Sequence, residues 1–242
     1  MNVHKNARQT PRDRAIMIDR IAAALGMARS TVGLALRRLG LGKLKLLEPR
    51  PPVIRYEHAA PGDMIHLDIK KLGRFAAAGH RVTGDRQLGR SKRVGWDFLH
   101  VCVDDASRLA YTEVLPSEGQ VDTTAFLERA LAWLQRLGIT VERVMTDNGS
   151  AYRSRRFAAA LGQAGLRHVR TRPYTPRTNG KAERSIQTSL RERAYARPYP
   201  CSDDRTRAIQ PWTIAYNLSR PHSGIGGITP WQRVNNLLGN DS

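Results

Sequence analysis

The sequence predicts an α/β protein with a mixed five-stranded sheet flanked by helices, preceded by a small all-α segment. Three observations lead to this class. Three alternating, strand-like segments follow one another directly, and two later ones are separated by helical patterns. Two short helical patterns stand before all of them. Consecutive strands joined by turns pair antiparallel, whereas strands that return through a helix add in parallel, so a mixed sheet is expected.

The N-terminal helices form a predicted helix-turn-helix over residues 1–47. Gly26 separates the two helical patterns, and Ser30 or Thr31 is the expected N-cap of the second. An ordinary helical hairpin is the alternative, but the local basic charge favours DNA binding. The residues of the second helix that are suited to phosphate and base contact are Arg29, Thr31, Arg37 and Arg38.

The remaining chain divides into a proline-rich linker over 48–62, an α/β core over 63–222 and a C-terminal tail over 223–242. The core elements follow from periodicity: strands in 64–72, 97–105, 108–115, "ERVMT" and "LRHVRT", and helices in 120–137, 153–164, 180–197 and roughly 203–219. The segment 73–94 is rich in glycine and basic residues and is expected to be a loop or hairpin tip.

Charge is concentrated in two parts of the chain, whose net charge is +19. Residues 1–62 carry 12 Lys and Arg against 4 Asp and Glu, residues 63–152 carry 12 against 12, and residues 153–220 carry 15 against 4. Two basic blocks around a neutral core favour a polyanion such as nucleic acid over a merely solvated basic surface.

The composition also indicates where in the cell the protein is expected to act. No run approaches 18 apolar residues, and no apolar stretch typical of a secretory signal stands at the start. The two cysteines, Cys102 and Cys201, have no metal-site or disulfide spacing. We therefore expect a cytoplasmic protein that acts on the nucleoid and has no membrane partner.

Three carboxylates are candidates for chemistry: Asp68 within the first strand, Asp147 at the end of the fourth, and Glu183 at the start of a basic helix. Each has an ordinary alternative, namely a salt bridge of Asp68 with Lys70 or Lys71, turn formation by Asp147, and helix-dipole placement of Glu183. If the first and fourth strands are neighbours, the two aspartates converge. Oxygen ligands select hard cations, so Mg²⁺ or Mn²⁺, as two ions, is the expected cofactor.

The motifs "HLDIK", "TDNGSAY" and "RTNGKAER", in this order and with thirty-five residues between Asp147 and Glu183, resemble the catalytic core of bacterial insertion-sequence transposases. "VDDASRLAYTEVLP" and "YNLSRPHSGIGGITP" also resemble stretches of that group, which is similar to the retroviral integrases. Members of the group tend to have a fuller DNA-binding region before the core, and no His/His/Cys/Cys zinc domain like that of the integrases is found here.

The resemblance implies a ribonuclease H-like fold and a DDE triad of Asp68, Asp147 and Glu183 that binds the metal ions. It also implies metal-dependent cleavage and strand transfer of DNA, the transposition of an insertion sequence, by a homo-dimer or higher oligomer on the element ends and the target. An inactive transposase-derived DNA-binding regulator and a metal-dependent nuclease of the same fold are the alternatives.

Other residues are given supporting or DNA-contact roles. His66 shares the face of Asp68, Asn148 and Gly149 shape the loop that presents Asp147, and Asp104 and Asp105 are expected to form a turn. Asn179 is expected to cap the helix that Gly180 begins. The sequence leaves open whether Arg220 and His222 contact DNA or a partner subunit. The further candidates for DNA-backbone contact are Lys70, Lys181, Arg184, Arg191 and Arg193.

Overall fold

The computed structural model describes residues 11–41, 57–78, 95–171 and 179–239. The chain divides into two compact units, residues 1–56 and residues 57–242. Most of the predicted linker and most of the predicted loop over 73–94 lie outside the described residues. Residues 57–62, which were expected to be linker, belong to the second unit: the Gly62 N–H donates to Asp104 Oδ1 over 2.8 Å.

The first unit contains the two predicted helices, α1 (Pro11–Leu25) and α2 (Arg29–Arg38). Gly26 has a φ of 60° and ends the first helix as expected. The N-cap prediction was wrong. The second helix already begins at Arg29, so Ala28 occupies the cap position and no side chain caps the helix there.

The second unit is built on one five-stranded sheet whose order is β3-β2-β1-β4-β5. The strands are β1 (Ile65–Gly73), β2 (Trp96–Asp104), β3 (Ala110–Leu115), β4 (Arg143–Thr146) and β5 (Arg167–Arg170). The first three pair antiparallel, and β4 and β5 add in parallel beyond β1. The predicted mixed sheet is therefore confirmed, including the neighbouring first and fourth strands.

Helices cover both faces of this sheet. They are α3 (Gln120–Arg136), α4 (Arg155–Gln163), α5 (Gly180–Ser189), α6 (Ser202–Arg207), α7 (Ile209–Leu218) and α8 (Pro230–Leu238). The single helix predicted over 180–197 is wrong in detail, because α5 passes into a π-helical turn at Leu190–Ala194. The helix predicted over roughly 203–219 is two helices, α6 and α7.

The C-terminal segment 223–242 is not a simple tail. It contains α8, which begins with a capping box between Thr229 and Gln232 and has Pro230 at its first position. Val234 of this helix is buried in the same apolar cluster as the sheet residues. The glycines and prolines that suggested a loop precede the helix and cap it, so residues 223–239 belong to the second unit.

Two apolar clusters lie on opposite faces of the sheet and decide which face each site residue shares. One contains Ile65 and Leu67 of β1 with residues of α3, α4 and α8. The other contains Leu72 of β1 with residues of β2, α5 and α7. Side chains alternate along a strand, so Asp68 shares the face of Leu72 and faces the layer that contains α5.

Arg220 and His222 link the C-terminal segment to the rest of the second unit. Arg220 forms an ion pair with Glu192 at 2.8 Å. The His222 ring packs edge-on against Tyr216 with 4.6 Å between centroids. The backbone N–H of His222 donates to Ile228 O over 2.9 Å. These contacts are internal to the second unit.

His222 makes stability depend on pH. Burial and then the positive charges of Arg220 and Arg108 lower its pKa to about 4, against about 6.5 in an unfolded chain, although Glu192 and Tyr216 oppose the shift. The unfolded state therefore binds more protons between these values, and stability falls as pH falls through that window. We expect the free energy of unfolding to decrease less steeply from pH 6.5 to 4 in His222→Phe, which keeps the ring but does not titrate. Denaturant titration at several pH values checks this, and parallel curves for the two proteins would contradict it.

Candidate metal-binding and nucleic-acid site

Asp68 lies on β1, and Asp147 directly follows the neighbouring parallel strand β4. His66 of β1 stands opposite Met145 of β4, and each aspartate follows its paired residue by two positions. Because side chains alternate along a strand, this register directs the two carboxylates to the same side at the same edge. The convergence predicted from the sequence depends on this pairing.

The pKa of the Asp68 carboxyl is affected by the other two carboxylates. Burial raises the pKa of the Asp68 carboxyl to about 6, a hydrogen bond from the Ile69 N–H opposes the shift, and the charges of Asp147 and Glu183 raise it further. Like charges raise a neighbour's pKa only when they are close to it. The charges of Asp147 and Glu183 therefore both act on Asp68.

Glu183 approaches from the helical layer. It lies in the first turn of α5, exposed, while Ala182 and Ile186 on the other side of the helix are buried. Ile186 belongs to the apolar cluster on the Leu72 face, so α5 packs on the face that carries Asp68. The helix packs against β1 and β2 and exposes Glu183 in its first turn.

None of the three carboxylates has a cationic partner within 4.0 Å in the described part of the chain, whereas several other acids are paired. Lys71 does not bridge to Asp68, because its ammonium lies over the rings of Trp96 and Phe98 at 4.8 and 5.4 Å. Lys70 is exposed and only lowers the pKa of Asp68 through its charge. The salt-bridge alternative for Asp68 is therefore not observed.

Asp147 also forms the turn that follows β4. Its Oδ1 accepts the Gly149 N–H over 2.8 Å, and Asn148 Nδ2 donates to Thr171 O over 2.9 Å. The neighbouring Tyr152 is buried against Phe157. The same side-chain contact of Asp147 thus forms the turn and orients its carboxylate. Asn148 and Gly149 lie in the loop that follows β4.

The donor set fits a hard divalent cation. The three groups are carboxylates, two of them exposed, which leaves room for water and phosphate oxygens beside them. No cluster of three His, Cys, Asp or Glu side chains among the described residues is close enough to form a metal cage as it stands. The arrangement is an open one, in which Asp147 and Glu183 are exposed. Asp68, Asp147 and Glu183 would hold it.

Asp105 is the residue that the sequence prediction misjudged. Asp104 forms the expected turn, since its Oδ2 accepts the Ser107 N–H over 2.8 Å. Asp105 does not. Its Oδ1 accepts from His66 Nε2 over 2.7 Å and forms an ion pair with Lys181, and its Oδ2 accepts the His58 N–H over 2.8 Å. Burial opposes the ionised form, but these donors hold the pKa of Asp105 well below its usual range. The doublet of acids in "VDDAS" was its only sequence signal.

His66 and Asn179 complete a buried network with Asp105. His66 Nδ1 lies 3.1 Å from Asn179 Oδ1, and Asn179 Nδ2 donates to Leu67 O over 3.1 Å. Asn179 occupies the N-cap position of α5, but its side chain makes no cap hydrogen bond because both of its ends are used across the network. The capping prediction is thus wrong in its chemistry. Gly180 opens the helix, and an added Cβ would meet nothing within 4 Å.

The predicted DNA-contact residues of the second unit fall into two groups. Arg184 and Arg191 are exposed on the α5 side, as is Lys70 on β1. Arg193 is buried, with Nη1 donating to Arg205 O over 2.6 Å, so its expected role in holding the DNA backbone is wrong. The ammonium of Lys181 is engaged with the buried Asp105 rather than presented to solvent alone.

In the first unit, Thr31, Arg37 and Arg38 are exposed on α2, and Arg29 forms an ion pair with Asp19 of α1. Of the helices in the described ranges, none has the length and apolarity needed to cross a membrane.

Comparison with known proteins gives consistent results. Residues 58–176 and residues 164–230 match two family models, each described as an integrase core domain. The catalytic core domain of BIV integrase, solved by crystallography, is similar with a TM-score of 0.50 and 20 % sequence identity, covering 74 % of this chain and 97 % of that one.

Curated relatives are matched over short segments. A retrovirus-related Pol polyprotein from transposon TNT 1-94 of Nicotiana tabacum is 37 % identical over 95 residues, covering 39 % of this chain and 7 % of that protein. An uncharacterised 39.2 kDa protein of insertion element IS476 from Xanthomonas euvesicatoria is 36 % identical over 90 residues, covering 37 % of this chain and 26 % of that protein. The matched segment is thus a small part of each relative.

Gly149 gives a test of how Asp147 is held. A Cβ at this position would lie 3.0 Å from Asp147 Oδ1 and 3.4 Å from Tyr152 Cδ2, so Gly149→Ala must displace the carboxylate. We expect about 10-fold weaker binding of Mn²⁺, measured from the loss of the free-ion electron paramagnetic resonance signal, because displaced supporting groups weaken metal sites by this order. Gly162→Ala is the control, since a Cβ there meets nothing within 4 Å. Equal Mn²⁺ affinity in both variants would contradict the assignment.

Proposed function

This chain belongs to the integrase core domain family, and we propose that it is a DDE transposase that cuts and joins DNA with Asp68, Asp147 and Glu183 as its catalytic triad. The observation that carries the proposal is the pairing of β1 with β4. By its register, side-chain alternation directs Asp68 and Asp147 to one side of the sheet, which supports the proposal. Among the described residues, neither they nor Glu183 have a cationic partner within 4.0 Å.

The chain's own residues supply position and charge. The sheet anchors Asp68, the turn bond from Gly149 orients Asp147, and α5 carries Glu183. When bound between them, one or two Mg²⁺ or Mn²⁺ ions would supply Lewis-acid activation of the attacking and leaving oxygens. At this open edge, water would attack a DNA phosphate in line and the 3′-oxygen would leave. The freed 3′-hydroxyl would then attack a phosphate of the target and expel the target's 3′-oxygen, with no covalent enzyme–DNA link.

Basic side chains would hold the DNA around this edge. Arg184 and Arg191 on the α5 side, with Lys70 on β1, are exposed and suited to phosphate contact. In the first unit, Arg37 and Arg38 on α2 are exposed and would bind the element ends. Because two ends are joined to one target, two or more copies of the chain would act together on the DNA.

Glu183→Gln tests the triad directly. The change keeps size but removes the charge, and we expect cleavage and joining to fall by about 1000-fold, equivalent to roughly 4 kcal/mol of transition-state stabilisation. The assay uses Mg²⁺ and duplex DNA carrying the repeats that flank the gene, with DNA binding followed separately by mobility shift. Binding should persist, because the mutated group does not contact the DNA backbone.

Glu192→Gln is the matched control, since Glu192 lies in the π-helical turn that continues α5 and is paired with Arg220 away from the triad. It should cut and join like the wild type. Joining retained by Glu183→Gln would remove Glu183 from the triad. Binding without either reaction in the wild type would favour a DNA-binding regulator, and cleavage without joining would favour a nuclease.

The first unit makes a separate prediction about DNA affinity. Replacing both Arg37 and Arg38 with Gln should weaken binding and reduce the slope of log K against log salt concentration by roughly 1 to 2, since each phosphate contact contributes about 0.9. Arg20→Gln on α1, exposed in the same unit, is the control and should leave the slope nearly unchanged. Equal losses from both variants would contradict the assignment of α2 as the DNA-contacting helix.

A further inference from the structure

Asp105 is a buried carboxylate that joins three separate parts of the second unit. It follows β2 and is 1 % exposed. It accepts His66 Nε2 over 2.7 Å and the His58 N–H over 2.8 Å, and it forms an ion pair with Lys181. The catalytic triad does not include it, so its burial needs another explanation.

The contacts of Asp105 end close to the triad on two different elements. His66 precedes Asp68 by two residues in β1, and Lys181 precedes Glu183 by two residues in α5. Asn179 extends the connection, since its amide contacts His66 Nδ1 and donates to Leu67 O, the residue before Asp68. The network therefore ties the start of the helix that carries Glu183 to the strand that carries Asp68.

We propose that Asp105 is a positioning residue that sets the distance between Glu183 and Asp68 through Lys181 and His66. The inference rests on the proposed function, because it concerns the geometry of the triad. Asp105 itself touches neither metal nor DNA. Its effect is carried by the two side chains that it holds.

The physical need for such a link comes from the kinds of contact that hold α5. Ala182 and Ile186 pack the helix on the sheet, but apolar contacts are non-directional and tolerate sliding. The three triad members are carboxylates of like charge, so they repel one another when they are ionised. Charge-assisted hydrogen bonds have defined lengths and directions, so the Asp105 network fixes a helix position that packing alone does not.

Asp104 provides a matched comparison within the same chain. It is the neighbouring residue, is fully buried, and is also an aspartate with several donors. Those donors are the N–H of Gly62 and the N–H and hydroxyl of Ser107, at 2.8, 2.8 and 2.6 Å. None belongs to the strand or helix segments that carry the triad. Loss of Asp104 therefore disturbs the fold near the same place without releasing α5.

The experiment compares Asp105→Asn with Asp104→Asn in the full chain. Denaturant unfolding in EDTA measures stability without metal, and Mn²⁺ affinity is measured from the free-ion electron paramagnetic resonance signal. We expect Asp105→Asn to weaken Mn²⁺ binding by about 10- to 100-fold, as supporting groups of metal sites do. Asp104→Asn should stay within about 2-fold of the wild type, whatever stability it loses.

A second variant covers the case in which Asp105→Asn does not fold. Lys181→Met breaks the same link from the helix side and should weaken Mn²⁺ binding in the same direction. If both single variants fold, the double variant should bind Mn²⁺ no more weakly than the single variant with the lower Mn²⁺ affinity. The reason is that the two substitutions remove the same interaction. Additive losses would mean that Asp105 and Lys181 act separately, which overturns the proposed link.

The variant Asp68→Asn distinguishes a failure of this inference from a failure of the proposed function. Suppose that the wild type binds Mn²⁺ and that Asp68→Asn abolishes this binding. If Asp105→Asn then leaves Mn²⁺ binding unchanged, the positioning role of Asp105 is overturned and the triad stands. If the wild type does not bind Mn²⁺, or Asp68→Asn binds it equally well, the proposed metal-binding function is overturned and the inference with it.

Discussion

The parallel pairing of β1 with β4 is the constraint on which the site depends. It brings two carboxylates together that would repel each other in free solution, and it does so with backbone bonds and with Ile65 and Val144 beneath them. A one-residue shift in this pairing would turn the aspartates to opposite faces of the sheet. The apolar cluster prevents that shift, because it would also expose Ile65. The fold therefore stabilises a pair of like charges whose natural partner is a cation.

The basic character of the third quarter of the chain has two origins. Some arginines are internal: Arg205 Nη2 donates to Gly73 O over 2.8 Å and to Asp97 Oδ2 over 2.9 Å, and Arg193 donates to the Arg205 carbonyl. These bonds attach α6 and the π-helical turn to the end of β1. Arg184 and Arg191 are exposed instead, so only part of the positive charge counted in this segment is available to a polyanion.

Much of this architecture could be predicted from the sequence, since strand alternation and helical periodicity are local signals. The integrase-type, ribonuclease H-like fold and the pairing of the first and fourth strands are confirmed. The π-helical turn, the break between α6 and α7 and the buried state of Arg193 depend on tertiary contacts, which periodicity does not report. The role of Asp105 was missed for the same reason, since its partners lie 39 to 76 positions away in the chain.

The order of the triad along the chain has a consequence for protein synthesis. Asp68 lies near the start of the second unit, but Glu183 lies on α5, after every strand of the sheet has been made. Since chains fold as they emerge from the ribosome, a nascent chain shorter than about 180 residues lacks both Glu183 and the lysine that Asp105 holds. Interruption of translation before Glu183 therefore leaves the proposed triad incomplete.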